Sequence, residues 1–199
     1  GSGHRFDEQT RWPCVMAASL RATLIEEALP GRTTRHDDDE MLGAAMNGLT
    51  YLNVALKSHA PLDVVVIMLG TNDLKARFNP SAENIADGWR ALITSIRETG
   101  GGPGPWESTQ PPKIALIAPP PLPAIVDDPD WEGFNDWAGG RTASLGLGDA
   151  ALQVAQDTGV LAFDAGRIVT GASADPIHMD AESHRTLGRA VADWLRDNG

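Results

Sequence analysis

Two short blocks of this sequence carry residue types that do chemistry together. The first is Gly70-Thr71-Asn72-Asp73, directly after the apolar run Val64 to Leu69; the second is Asp175-Pro176-Ile177-His178, in a loop ahead of the last helical stretch. A carboxylate beside a histidine can fix the imidazole tautomer and stabilise its charged form, while the other ring nitrogen takes a proton from a nucleophile. Asn72 offers an amide donor that stays neutral at every working pH. A fixed neutral donor at a strand end is what an oxyanion hole requires, and Gly70 would let the backbone turn sharply enough to present it. Each block also fits a plainer role. The tetrapeptide can be an Asx-type turn whose side chains satisfy only local backbone groups, and His178 can be a surface histidine near a capping acid. A metal site is the weaker alternative, because two ligands three residues apart with no further His, Cys or Glu cluster do not complete a shell.

The elements that must position these blocks follow from hydrophobic periodicity. Val64 to Leu69 is an unbroken apolar run rich in β-branched residues, the pattern of a strand buried on both faces in a parallel sheet. Ligands of open α/β sheets collect beyond the carboxyl ends of such strands. Lys113 to Ala118 predicts a second buried strand, stopped by Pro119-Pro120-Pro121, and Val160 to Phe163 a short third. Thr23 to Glu27 predicts another, with Gly31 just beyond it, where a backbone N–H can approach a ligand closely. Helices are predicted from Pro13, over Asn47 to Ser58 with Asn47 as cap, along Ile85, Trp89, Leu92, Ile93 and Ile96, over Arg141 to Asp157, and after Asp180. Cys14 lies in the first helix as a small hydrophobe rather than a nucleophile. His36 and the acidic run Asp37 to Glu40 predict a solvated loop, since five adjacent polar residues cannot all face one ion. Pro119 to Gly140 is a long loop carrying Trp131, Phe134 and Trp137; such loops serve as lids, binding walls or interfaces, or pack on themselves.

Composition excludes whole classes. A chain of 199 residues, 42% hydrophobic, suits one domain with a proper core. A net charge of −11 from 16 basic and 27 acidic side chains argues against nucleic-acid or anionic-membrane partners. No apolar run is long enough to span a bilayer. Gly1-Ser2-Gly3-His4-Arg5 lacks the apolar core of a signal peptide, and the single cysteine fits a reducing compartment. A cytoplasmic location is expected. No cofactor is expected either, since neither a dinucleotide fingerprint nor a Walker motif occurs.

Taken together, Gly31, Gly70-Thr71-Asn72-Asp73 and Asp175-Pro176-Ile177-His178, in this order, resemble the SGNH (GDSL-type) hydrolases. The likeness is strongest to their arylesterase and acyltransferase branch. It extends through Arg11-Trp12, Glu26-Glu27-Ala28-Leu29, Gly31-Arg32-Thr33-Thr34, Pro61-Leu62-Asp63, Ile67-Met68-Leu69, Pro119-Pro120-Pro121 and Phe163-Asp164-Ala165-Gly166. The resemblance implies a three-layer α/β/α, flavodoxin-like fold with a parallel sheet, formed as a single domain over residues 1–199. It implies a serine esterase acting on small acyl esters and passing acyl groups to alcohols. His178 would be the base and then the acid, Asp175 its orienting carboxylate, and the Gly31 N–H and the Asn72 amide two oxyanion donors. Gly70, Thr71 and Asp73 would support them, with Trp12 and Ile177 contacting substrate. A homo-oligomer is expected on the same ground. One block is missing: the Gly-Asp-Ser-Leu segment with the nucleophilic serine does not occur in these residues. Ser2 is no substitute, lacking a strand before it and a helix after it. The expectation is therefore an N-terminally incomplete domain without its first central strand. Competing expectations are a carbohydrate O-deacetylase of the same family and a non-catalytic, hydrolase-like binding or assembly module.

Overall fold

The structure is a computed structural model that describes residues 5–170 and 175–198. Ser2 and the small-residue stretch at 171–174 lie outside the described residues. Three strands form a parallel sheet in the order β1 (Val64–Ile67), β2 (Lys113–Ala118) and β3 (Leu161–Asp164). Val66 pairs with Ala115, which pairs in turn with Leu161. The helices are α1 (Trp12–Leu20), α2 (Gly48–His59), α3 (Ala82–Thr99), the short α4 (Phe134–Trp137) and α5 (Gly140–Ser144), α6 (Leu147–Thr158) and α7 (Ala181–Asn198). No described helix is long and apolar enough to cross a membrane.

The period-two alternation of β2 divides the core. Ile114, Leu116 and Ala118 face one cluster with Ile67 and the apolar stripes of α3 and α6; Ala115 and Ile117 face the other with Met16 of α1 and Leu187, Val191, Ala192 and Leu195 of α7. Strand residues pointing alternately to helices on both faces make the expected three layers. On the α1/α7 side the helices approach closely because Gly188 has no side chain. A Cβ there would stand 2.7 Å from both the Trp12 carbonyl oxygen and Val15 Cβ.

Several expectations need correction. Residues 22–29 form no strand. An extended segment becomes a strand only where a neighbour completes its ladder, and among the described residues no strand lies beside the outer edge of β1. For the same reason β1 is not buried on both faces: Val64 is 38% exposed, and only Ile67 is fully buried. The helix expected over Arg141 to Asp157 is two, broken at Leu145-Gly146. The long loop carries a turn of 3-10 helix at Ala124–Asp127 and α4, and it packs into the core shared with α3 and α6. It buries Val126 and Trp137 and half-buries Trp131 and Phe134, so its aromatic rings are not a free surface. The acidic run is not wholly solvated either: Asp38 is buried to 1% exposure, for a reason given below.

Candidate active site

The carboxyl end of β1 is shaped by packing on α3. Trp89, fully buried, donates its indole N–H to the Leu69 carbonyl at 2.8 Å. Gly70 adopts φ +129, and a Cβ there would press on Ile85 at 3.1 Å and Trp89 at 3.4 Å. Only glycine satisfies both the conformation and the close approach. The chain then makes a turn of 3-10 helix, Asn72–Leu74, that sets Asn72 at the rim of the sheet.

A second segment runs alongside. Gly31 turns with φ +91, and Thr33 and Thr34 follow, both fully buried. Their carbonyls accept from the Gly48 and Leu49 N–H groups at 3.1 and 3.0 Å, satisfying orphan donors in the first turn of α2. The segment is thus wedged between two helices, and the fit depends on glycine on both sides. A Cβ at Gly48 would stand 2.7 Å from the Thr33 carbonyl oxygen, and one at Gly88 of α3 would stand 2.2 Å from Thr34 Oγ1.

Two contacts join these segments directly. Asn72 Nδ2 donates to the Arg32 carbonyl at 3.2 Å, which fixes the amide plane and leaves its second N–H for another acceptor. The Asp73 carboxyl, buried to 1% exposure, accepts from the Thr34 N–H at 3.0 and 3.1 Å and from the Thr34 hydroxyl. Burial pushes the Asp73 carboxyl up, and the Thr34 hydrogen bonds offset this only in part. Gly31 and Asn72 are therefore held on adjacent, cross-linked segments.

Asp175 and His178 form the second constellation. Asp175 Oδ2 lies 2.9 Å from His178 Nδ1. Asp175 Oδ1 accepts from the Ile177 and His178 N–H groups, both at 3.1 Å. One carboxylate thus shapes its own turn and orients the ring. Burial raises its carboxyl, but the hydrogen bonds from the His178 ring and the two N–H groups outweigh that and hold it below the usual range. The His178 side chain is 79% exposed, so Nε2 is open to a reacting group. Because all three strands are parallel, the Asn72 turn after β1 and the 3-10 turn Ala165–Arg167 after β3 both follow the carboxyl ends of their strands. Ile177 packs on the core cluster of α3 and α6, whereas Trp12 packs on that of α1 and α7.

Two groups near the site take other roles. Cys14 is half-buried with Sγ 3.7 Å from Glu26 Oε2, and burial, then the Glu26 charge, pushes its thiol up, away from nucleophilic use. Glu26 instead binds Arg11 through paired contacts at 3.0 and 3.2 Å, and Arg5 at 2.8 Å. The buried group that sequence reasoning missed is Asp38, which holds Lys75 Nζ at 2.9 Å and Arg77 at 3.0 Å. Its signal was the pair Lys75-x-Arg77 directly after the polar tetrapeptide, opposite an acidic run.

These features agree with what the chain is similar to. The GDSL-like Lipase/Acylhydrolase family model matches residues 1–186. The native aryl esterase of M. smegmatis is 36% identical, with a TM-score of 0.86 over 98% of this chain and 88% of that one. Est24, a carbohydrate acetylesterase from Sinorhizobium meliloti, is 37% identical, with a TM-score of 0.89 over 100% of this chain and 90% of that one. No curated protein sequence matches. With that family model spanning most of the chain and relatives of this similarity covered almost end to end, the chain belongs to the GDSL-like lipase/acylhydrolase (SGNH) family, hydrolases that act on esters.

Proposed function

We propose that the chain carries the proton-transfer pair and two oxyanion donors of a serine esterase for small acyl esters, arylesterase-like, able to pass the acyl group to alcohols as well as to water. The feature that supports this is the 2.9 Å contact between Asp175 and His178 Nδ1, in a chain whose Asn72 amide is tied to the Arg32 carbonyl, one residue beyond Gly31. With Nδ1 donating to the carboxylate, Nε2 is the acceptor for a serine hydroxyl proton. It returns that proton to the leaving alkoxide after the tetrahedral intermediate forms. The negative oxygen of that intermediate takes the Gly31 N–H and the free N–H of Asn72. Both are neutral and fixed beforehand, so they need no reorganisation when charge develops. The attacking serine is not assigned to any residue of this chain.

Hydrolysis of p-nitrophenyl acetate tests the roles. His178→Ala should abolish turnover, and Asn72→Ala should lower kcat by roughly 10²–10³ with the thermal transition retained. Turnover that survives His178→Ala defeats the assignment. A carbohydrate O-deacetylase is the second reading, favoured by the likeness to the S. meliloti acetylesterase. Acetylated oligosaccharides assayed beside aryl acetates separate the two.

A further inference from the structure

Asp38 occupies a place that neither an ordinary surface loop nor an ordinary core explains. Its carboxylate is completely enclosed, with Lys75 Nζ at 2.9 Å and Arg77 Nη2 at 3.0 Å, and Arg77 reaches on to Glu40 at 2.7 Å. Replacing a buried ionic cluster with apolar residues of similar volume is often neutral or stabilising, so stability alone is a poor account of these charges. Their position gives a better one.

The backbone of Asp38 closes a tight turn. Its N–H donates to the Gly43 carbonyl at 3.1 Å, and its own carbonyl accepts from Gly43 and Met41, both at 2.9 Å. That turn lays Met41 over Gly31: a Cβ on Gly31 would stand 2.5 Å from Met41 Cε and 2.7 Å from Met41 Sδ. Lys75 Nζ also lies 3.4 Å from Met41 Sδ. On the other side, the Lys75 N–H donates to the Asn72 carbonyl at 3.4 Å, closing the turn that presents the Asn72 amide. Asp38 therefore touches both donor segments, one through Met41 and one through Lys75.

We infer that Asp38 is a positioning residue for the oxyanion site, its carboxylate gripping Lys75 and Arg77 so that the Asn72 amide and the Gly31 N–H are held in mutual register. This rests on the oxyanion role proposed above for Gly31 and Asn72. Asp38 touches no reacting atom; it acts through the two segments. Displacements near 1 Å from groups remote from the chemistry cost up to about 10²-fold in rate, which sets the scale expected.

The test uses Asp38→Asn and Lys75→Met in the intact protein, with Asn72→Ala as reference, read by p-nitrophenyl acetate kinetics and by the ¹H–¹⁵N signals of the Asn72 side-chain amide. Asp38→Asn should lower kcat by about 10- to 100-fold while KM changes less than about threefold, the mark of an interaction realised in the transition state. Lys75→Met should act in the same direction, and it decides the matter if Asp38→Asn does not fold. Both should shift the Asn72 amide signals, which a merely structural loss of melting temperature would not move. Wild-type kcat in both variants, beside an impaired Asn72→Ala, overturns the role of Asp38. If Asn72→Ala itself turns over like wild type, the oxyanion reading fails instead. The amide signals then judge the positioning alone: unmoved signals overturn it and shifted ones uphold it.

Discussion

At the scale of single residues, the contact that orders the site is the one between Asp73 and Thr34. A buried carboxyl accepting from a backbone N–H and a hydroxyl on a neighbouring segment is a staple that an isosteric amide cannot replace. In Asp73→Asn one oxygen can still accept, but the NH₂ group opposes a donor, leaving a buried N–H unsatisfied. The cost expected is about 1–3 kcal/mol, measured as a lower urea midpoint, with a fall in kcat because Asn72 is the next residue. Asp73 and Asn72 were visible in the sequence as adjacent polar residues after a strand. Thr34 as the partner was not, since 39 residues separate the pair and nothing in local spacing records it.

At the scale of elements, α1 and α7 are joined by a contact that sets a pH limit. The Trp12 N–H, at the start of α1, donates to His184 Nδ1 on α7 at 3.3 Å, while Arg11 at the N-cap position offers no side-chain cap. His184 can accept there only when that nitrogen is unprotonated. Burial pushes its imidazole down; the Asp180 charge opposes this and the Arg11 charge reinforces it, with Glu26 and His178 as lesser influences. A group whose pKa is lowered by folding contributes stability above its unfolded value, near 6.5. That contribution is lost as pH falls through the lower folded value. Melting temperature should therefore decline as pH drops from about 7 toward 5. His184→Gln, whose amide oxygen can still accept, should flatten this part of the profile. A wild-type profile no steeper than that of the variant would refute the cap. The helix itself was legible from Pro13, and α3 and α7 from their apolar stripes. A cap supplied from 172 residues away was not legible. Nor was the break before α6, at Leu145-Gly146.

At the scale of the whole molecule, the order of strands and helices and the two-sided core follow from periodicity, because alternation in a strand and a stripe on a helix are local signals. What escaped was the exposure of β1, which depends on what lies beside it rather than on Val64 to Ile67 themselves. The site shows the same division: Asp175 and His178 are close in sequence and were legible as a pair, whereas the ionic grip on Asp38 joins distant segments. The notch at Gly88 belongs to this long-range part. Alanine there should favour the isolated helix by up to about 1 kcal/mol. In the folded protein, however, its methyl would stand 2.7 Å from Thr34 Cβ. Gly88→Ala should therefore lower both the melting temperature and kcat, and wild-type values for both would disprove it. A scan of α3 for improved helicity would thus meet its sharpest failure at a position bearing no functional group. The catalytic rate of this esterase would be governed partly by an empty space on a helix that never meets the ester.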